Sequence, residues 1–218
     1  MNAVVIAFAV FLIVFLVYYS LFYKGLSNRF FGNLSSEKSV ILARISGFVL
    51  FGIVPLLFTQ NYSWLAFDGK NLNILPILIL TFLIMLTNFI SARRKDNLRI
   101  YPQIRTKEWA LWLYFISSLT WIIYLVGYEI LFRGFLFFAL LEEFDLLTAI
   151  TINTVIYSMA HLQKDIKESL GAIPMGIVLC WLTYKTGNIW TAIWLHSVLA
   201  LSNEWFSIKY FKEYDVNE

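Results

Sequence analysis

Four ionisable residues lie in apolar stretches of this chain, where charge is not expected. Glu129 precedes Arg133 by four positions in GYEILFRGF, so a helix would place both side chains on one face, where they can pair. His161 and His196, the two histidines of the chain, lie in VIYSMAHLQ and AIWLHSVLALSNEW. Ionisable groups inside a membrane are costly and mark functional sites by default. A structural ion pair and two hydrogen-bonded core histidines are the alternatives.

Hydrolysis is one reaction that these residue types can perform. A carboxylate and an imidazole that share a water can act as general base and proton carrier, while a second histidine polarises a carbonyl oxygen. Zinc bound by Glu129, His161 and His196 is an alternative, as is haem bound by the two histidines. A proton relay in a transporter is a third alternative. Many transporters consist of two repeated halves, and this sequence has none that we find. The chain lacks the HExxH motif of zinc peptidases.

The composition shows that these residues belong to a membrane protein. Of the 218 residues, 60% are hydrophobic and 14% are charged, and the mean hydropathy is +0.71. A soluble domain carries about 25% charged residues, so a soluble enzyme or a disordered chain is excluded. The single cysteine, Cys180, provides no disulfide framework. The sequence therefore predicts an all-α, polytopic transmembrane helix bundle.

A helix needs about 20 apolar residues to cross a bilayer, and the chain has seven apolar runs near or above this length. The sequence therefore predicts seven spans. One run, 108–142, is about 52 Å long as a straight helix, so it must tilt, break or begin as an interfacial helix. A hairpin at Gly127 within it would make eight spans. The predicted spans are 3–23, 42–60, 73–91, 108–142, 146–162, 169–186 and 189–210.

The basic residues predict the orientation. With seven spans, fourteen of them lie on one side, including Arg44 at the edge of the second span, and two lie on the other. The positive-inside rule then places the C-terminus in the cytoplasm. The basic loop 92–107 is typical of a topology signal beside anionic lipid. We expect N-terminal helices with this loop at 1–107 and a catalytic core at 108–218, within a single integral membrane domain.

Helical rise places the candidate residues at one depth. Glu129 and His161 lie sixteen residues before and after Asp145, the expected site of a turn, and therefore each about 24 Å from it. Counting residues along the later spans in the same way predicts a common depth in the membrane, nearer the cytoplasmic face, for six residues. These are Glu129, Arg133, His161, His196, Asn203 and Glu204.

At these residues the chain resembles the CPBP (Abi) family of intramembrane proteases, which includes CAAX-processing endopeptidases and bacteriocin-processing or self-immunity proteins. The first family motif is EExxxR followed by Gly, and residues 128–134 read YEILFRG. The second is an aromatic residue four positions before a histidine, as in Tyr157 and His161. The third is a T-G-[SN]-[IL] turn before a histidine-containing helix, here TGNI at 186–189 before His196. The resemblance covers residues 108–206.

The resemblance implies a glutamic-type mechanism without a metal. In it, the first glutamate and the second-motif histidine activate water, while the last histidine and an asparagine four residues later bind the oxyanion. Here Tyr128 stands at the first glutamate position and Ala200 at the asparagine position. Glu129 could take over as the base, and Asn203 or Glu204 could replace the asparagine, because each lies near the position it would fill.

We therefore predict an intramembrane endopeptidase that hydrolyses a hydrophobic or lipidated membrane substrate in a bacterial inner or plasma membrane. A catalytically degenerate CPBP-like binding or immunity protein is the alternative. Expected partners are membrane lipid and a peptide or protein substrate, without nucleic acid. No cofactor is expected, and zinc is the alternative. The predicted catalytic residues are Glu129, His161, His196, Arg133 and Asn203.

Overall fold

The computed structural model describes residues 2–22, 34–59, 61–67, 69 and 72–213. Within these ranges the chain forms helices and no strands, which confirms the all-α prediction. Tyr23, Gln60 and the basic residues Lys24, Arg29 and Lys70 lie outside the described residues. The helices are α1 (Ala3–Phe22), α2 (Ser36–Leu56), α3 (Ile74–Ser91), α4 (Lys95–Leu98), α5 (Leu111–Glu143), α6 (Leu146–His161), α7 (Ile166–Thr186) and α8 (Trp190–Phe211).

Five of these helices, α1, α2, α3, α5 and α7, are long and apolar enough to cross a membrane. The sixteen-residue α6 is a shorter apolar helix, and α8 has 22 residues. Each of these seven helices corresponds to one predicted span. The boundaries follow local signals: Ser35 caps α2, Asp145 accepts hydrogen bonds from the amides of Leu147 and Thr148 before α6, and Gly187 ends α7 in the left-handed conformation.

The long segment predicted to tilt, break or begin as an interfacial helix is a single helix. Helix α5 has 33 residues and continues through Gly127, with a π-helical stretch at Ile130–Leu136 immediately after Glu129. A Cβ at Gly127 would lie 2.9 Å from the Cα of Phe48, so this glycine allows α2 to approach closely instead of forming a hairpin. The described backbone therefore contains no eighth crossing at this position.

The basic segments meet at one end of the bundle. The amide of Arg105 donates to Ser36 Oγ (3.0 Å), and Asn97 Nδ2 donates to Ser207 Oγ (2.7 Å). Lys167 pairs with Asp96 at the same end. These contacts bring the start of α2, the loop 92–107, the start of α7 and the end of α8 together, as the distribution of basic residues predicts.

Candidate functional site

Glu129 contacts both Arg133 and His196, and the three residues form a cluster inside the bundle. Glu129 and Arg133 have no exposed surface, and His196 is 6% exposed. Arg133 Nη1 lies 3.3 Å from Glu129 Oε2 and 3.4 Å from Oε1, one helical turn apart on α5. His196 Nδ1, on α8, lies 2.5 Å from Glu129 Oε1. The carboxylate of Glu129 therefore contacts both the guanidinium of Arg133 and the imidazole of His196. Contacts of this kind, between charged groups, are shorter and stronger than hydrogen bonds between neutral groups.

The contact with Glu129 determines which nitrogen of His196 can reach a substrate. A carboxylate accepts hydrogen bonds, so Nδ1 is the donor and carries a proton. His196 also lines a cavity, and Nε2 is the ring nitrogen that the contact with Glu129 leaves available. A histidine held at one nitrogen by a carboxylate has a defined ring orientation, as catalytic histidines require.

His161 is held in a similar way by the backbone. Its Nδ1 lies 2.8 Å from the carbonyl oxygen of Tyr157, one turn earlier on α6. Because a carbonyl only accepts, Nδ1 carries the proton, and in the neutral ring Nε2 has the lone pair. The ring lies 4.5 Å from the ring of Tyr157, centroid to centroid. His161 therefore has a fixed tautomer that suits a general base.

Both imidazoles line the same cavity, here called the histidine cavity, whose volume is about 560 Å³. Tyr128 and Tyr157 lie between them: the Tyr128 ring is 6.2 Å from His161 and 5.6 Å from His196. Aromatic and aliphatic side chains make up most of the wall. They come from α1, α2, α3, α5, α6, α7 and α8, and include Phe15, Tyr18, Phe51, Ile84, Trp121, Tyr124, Leu125, Met175, Val178 and Leu199.

The two departures from the family motifs both lie on this wall. Tyr128 lines the cavity, whereas Glu129, the next residue, does not and is directed toward Arg133 and His196. Ala200 and Asn203 also line the cavity, on the same face of α8 as His196. The Oδ1 atom of Asn203 is buried without a hydrogen-bond partner. The structure thus brings Asn203, but not the carboxylate of Glu129, to the cavity surface.

Glu204, the other replacement considered for the family's asparagine, lies in a second buried cluster away from the cavity wall. Its Oε1 is 3.5 Å from Arg44 Nη2, and its Oε2 accepts from the amide of Gln103 (3.1 Å). Arg44 is 2% exposed and also donates to Ser117 Oγ and Thr120 Oγ1. Arg44, which the sequence counts with the basic residues of one side, is therefore buried: its guanidinium neutralises Glu204 and donates to Gln103 Oε1 (3.1 Å) in the loop 92–107.

The histidine cavity provides few ligands for a metal. Among the residues that the structure describes, no group of three histidine, cysteine, aspartate or glutamate side chains could hold an ion. Glu129 would have been the third ligand beside the two histidines, but its carboxylate contacts His196 Nδ1 instead. A catalytic zinc site uses three protein ligands, so the described residues do not fit one.

Comparison with known protein families identifies one match. Residues 107–202 match the family model "Type II CAAX prenyl endopeptidase Rce1-like", which describes a family of membrane proteases. Neither a curated protein nor a solved structure matches the chain. The matched segment includes Glu129, Arg133, His161 and His196 and ends one residue before Asn203. Residues 107–202, which hold the three motifs, are therefore similar to the Rce1-like family, and this confirms the predicted resemblance for that part of the chain.

Proposed function

We propose that this protein is an intramembrane endopeptidase that hydrolyses a peptide bond of a hydrophobic or lipidated substrate in the histidine cavity. The observation that supports the proposal is the pair of imidazoles that line one largely apolar cavity, each bonded through Nδ1, so that Nε2 is the ring nitrogen left for a substrate. Such a cavity can accept apolar peptide, and the two ring nitrogens supply a base and a donor within it.

In this mechanism His161 Nε2 removes a proton from water while the water oxygen bonds to the carbonyl carbon. The resulting oxyanion accepts hydrogen bonds from the Asn203 amide and from Nε2–H of His196 in its doubly protonated form. The carbon–nitrogen bond then breaks, and His161 returns its proton to the leaving amine. The products are a carboxylic acid and an amine, so the atoms of one water are consumed.

Glu129 has a different role here from the one expected from the sequence. It was expected to activate water, but it is fully buried and absent from the cavity wall. We assign it as the residue that orients His196 and balances the charge of the imidazolium, with Arg133 holding the carboxylate in place. A carboxylate behind a catalytic histidine acts in this way in hydrolases.

Purified protein in lipid nanodiscs, incubated with a panel of prenylated and transmembrane peptides, tests the proposal. Wild-type protein should cleave at least one peptide, as detected by mass spectrometry. His161→Ala should lower the rate by about 10²- to 10⁴-fold, the usual contribution of a general base. A zinc chelator should leave the rate unchanged. Loss of cleavage on chelation, followed by recovery with zinc, would contradict the metal-free mechanism.

A catalytically degenerate binding protein is the second candidate, and Tyr128 favours it. This tyrosine lines the cavity at the position where the family motif has its first glutamate. If the wild-type protein cleaves none of the peptides in the panel while the Tyr128→Glu variant cleaves at least one, the wild-type protein is a catalytically degenerate binding protein. Cleavage by wild-type protein would exclude it.

The orientation is also a proposal, and the location in a bacterial plasma membrane stays a prediction from the family resemblance. The basic segments lie at the end of the bundle that carries the loop 92–107 and the C-terminal end of α8. The positive-inside rule supports a cytoplasmic position for this end. A reporter that is active in the cytoplasm should therefore be active when fused to the C-terminus.

A further inference from the structure

Helix α6 carries three side chains, each four residues from the next, on the face that contacts α5: Asn153, Tyr157 and His161. The ring centroid of Tyr157 lies 4.2 Å from the guanidinium carbon of Arg133, and the Tyr157 carbonyl oxygen holds His161 Nδ1. Asn153 is fully buried and is not part of the wall of the histidine cavity. The mechanism proposed above therefore gives no role to the first residue of this face.

The side-chain amide of Asn153 links three helices. Its Nδ2 donates to the carbonyl oxygen of Phe132 on α5 (2.8 Å), and its Oδ1 accepts from the thiol of Cys180 on α7 (3.2 Å). A carbonyl oxygen can only accept, so Phe132 determines which end of the amide faces α5. Both ends of this buried amide are thus bonded, as buried polar groups require.

The carbonyl of Phe132 lies in the π-helical stretch of α5, at a residue between Glu129 and Arg133. It also accepts from the backbone amide of Phe137, five residues later, which is the hydrogen bond of a π-helix. Such turns are rare and occur mostly at functional sites. A carbonyl oxygen has two lone pairs, so Asn153 adds a second donor to this turn from outside the helix.

We propose that Asn153 is a positioning residue: its hydrogen bond to Phe132 holds the π-helical stretch in the arrangement in which Glu129 contacts His196. The effect of Asn153 on the reaction rests on the proposed function, whereas its effect on the contact between Glu129 and His196 does not. Because Asn153 does not line the cavity, its loss should slow the reaction of bound substrate and leave substrate binding unchanged.

Kinetics of a cleaved peptide in nanodiscs test the effect on the reaction. Asn153→Leu removes both polar atoms, keeps the number of side-chain heavy atoms, and should lower kcat by about 10- to 100-fold with KM unchanged, because catalytic groups are displaced. The matched control is Thr154→Val on the same helix. Thr154 is 5% exposed, and its hydroxyl has no hydrogen-bond partner among the described residues, so this variant should keep wild-type kcat.

Three kinetic results, measured per folded molecule, would overturn the proposal. One is wild-type kcat in Asn153→Leu, and another is an equal loss of kcat in Asn153→Leu and Thr154→Val. The third is an effect of Asn153→Leu on KM alone, which would place Asn153 in substrate binding.

The imidazole signals in an NMR spectrum test the effect on the Glu129 contact without any cleavage. The chain has two histidines, so protein labelled with ¹⁵N-histidine and purified without a histidine tag should give two Nδ1–H signals, of which His161→Ala leaves that of His196. In Asn153→Leu the His196 proton signal should shift upfield, because its hydrogen bond to the carboxylate weakens. The His161 signal depends on a hydrogen bond within α6 and should stay in place, and Thr154→Val should shift neither signal.

The two measurements separate this proposal from the proposed function. An unchanged His196 signal in folded Asn153→Leu would overturn the role of Asn153 and leave the protease intact. A shifted His196 signal, in a protein whose wild type cleaves no peptide, would keep the role of Asn153 and contradict the protease.

A second pair of variants replaces Asn153→Leu if that variant does not fold. Cys180→Ala removes the thiol that donates to Asn153 Oδ1 and should shift the His196 signal in the same direction by a smaller amount. Cys180→Ser, which restores a donor, should recover most of this shift. An unchanged His196 signal in folded Cys180→Ala, or the same shift in Cys180→Ser, would overturn the proposal.

Discussion

The bundle contains two buried clusters in which a glutamate and an arginine neutralise each other, and they differ in what the carboxylate holds. Glu204 binds Arg44, the amide of Gln103 and Ser117 Oγ, all of which belong to the protein framework. Glu129 binds Arg133 and a histidine that lines the histidine cavity. The Glu204 cluster links segments of the protein, whereas the Glu129 cluster holds the imidazole of His196 at the histidine cavity.

Burial of charge does not by itself identify a functional site. Both pairs are expensive to bury, and breaking either one leaves an uncompensated charge. What distinguishes the Glu129 cluster is its connection to an imidazole on the wall of an apolar cavity. The Glu204 cluster instead holds the loop 92–107 and α2 against α8. We therefore expect substitutions in the two clusters to affect different properties of the protein.

Of the substitutions near the two clusters, we expect the largest loss of activity at Asn203, which precedes Glu204 in the chain but lines the histidine cavity. Asn203→Ala should lower kcat by about 10²- to 10³-fold, the usual cost of removing an oxyanion donor. Adding Ala200→Asn should recover part of this loss, because it returns an amide to the family position on the same wall. Unchanged kcat in Asn203→Ala, measured with a cleaved peptide, would remove Asn203 from the mechanism.

An intermediate effect, on stability and not on chemistry, is expected at Glu204. Glu204→Gln leaves the buried Arg44 guanidinium without its counter-charge and should lower the free energy of unfolding by about 3 kcal/mol. Activity per folded molecule should stay close to that of the wild type. Unfolding in detergent, followed by tryptophan fluorescence, measures the first quantity. A large loss of kcat without a loss of stability would place Glu204 in the active site.

The smallest effect is expected at the exposed pair of Asp96 and Lys167. The hydrogen bond from Lys167 holds the pKa of Asp96 below its usual value. The small stabilisation that follows is present at neutral pH and is lost as the pH falls below about 4. Asp96→Asn should leave the melting temperature at pH 7 almost unchanged, because exposed pairs contribute little. A large decrease would mean that this pair stabilises the bundle as the buried pairs do.

Much of the fold could be predicted from apolar runs, since each predicted span corresponds to a helix. The pairing of Glu129 with Arg133 also followed from helical spacing. The direction of the Glu129 side chain did not, because neighbouring helical residues differ by about 100° and a π-helical stretch follows directly. The burial of Arg44 could not be predicted for a related reason: a run of apolar residues does not show which of its faces packs against a partner that can accept a charge.

The most direct test of the account compares three glutamate-to-glutamine variants in one peptide-cleavage assay in nanodiscs. Glu129→Gln should lower kcat/KM by about 10- to 100-fold, because His196 loses its orienting charge. Glu204→Gln and the exposed control on the same helix as Glu129, Glu143→Gln, should retain wild-type kcat/KM per folded molecule. Equal kcat/KM for Glu129→Gln and Glu143→Gln, in folded protein, would contradict the claim that the Glu129 cluster belongs to the active site.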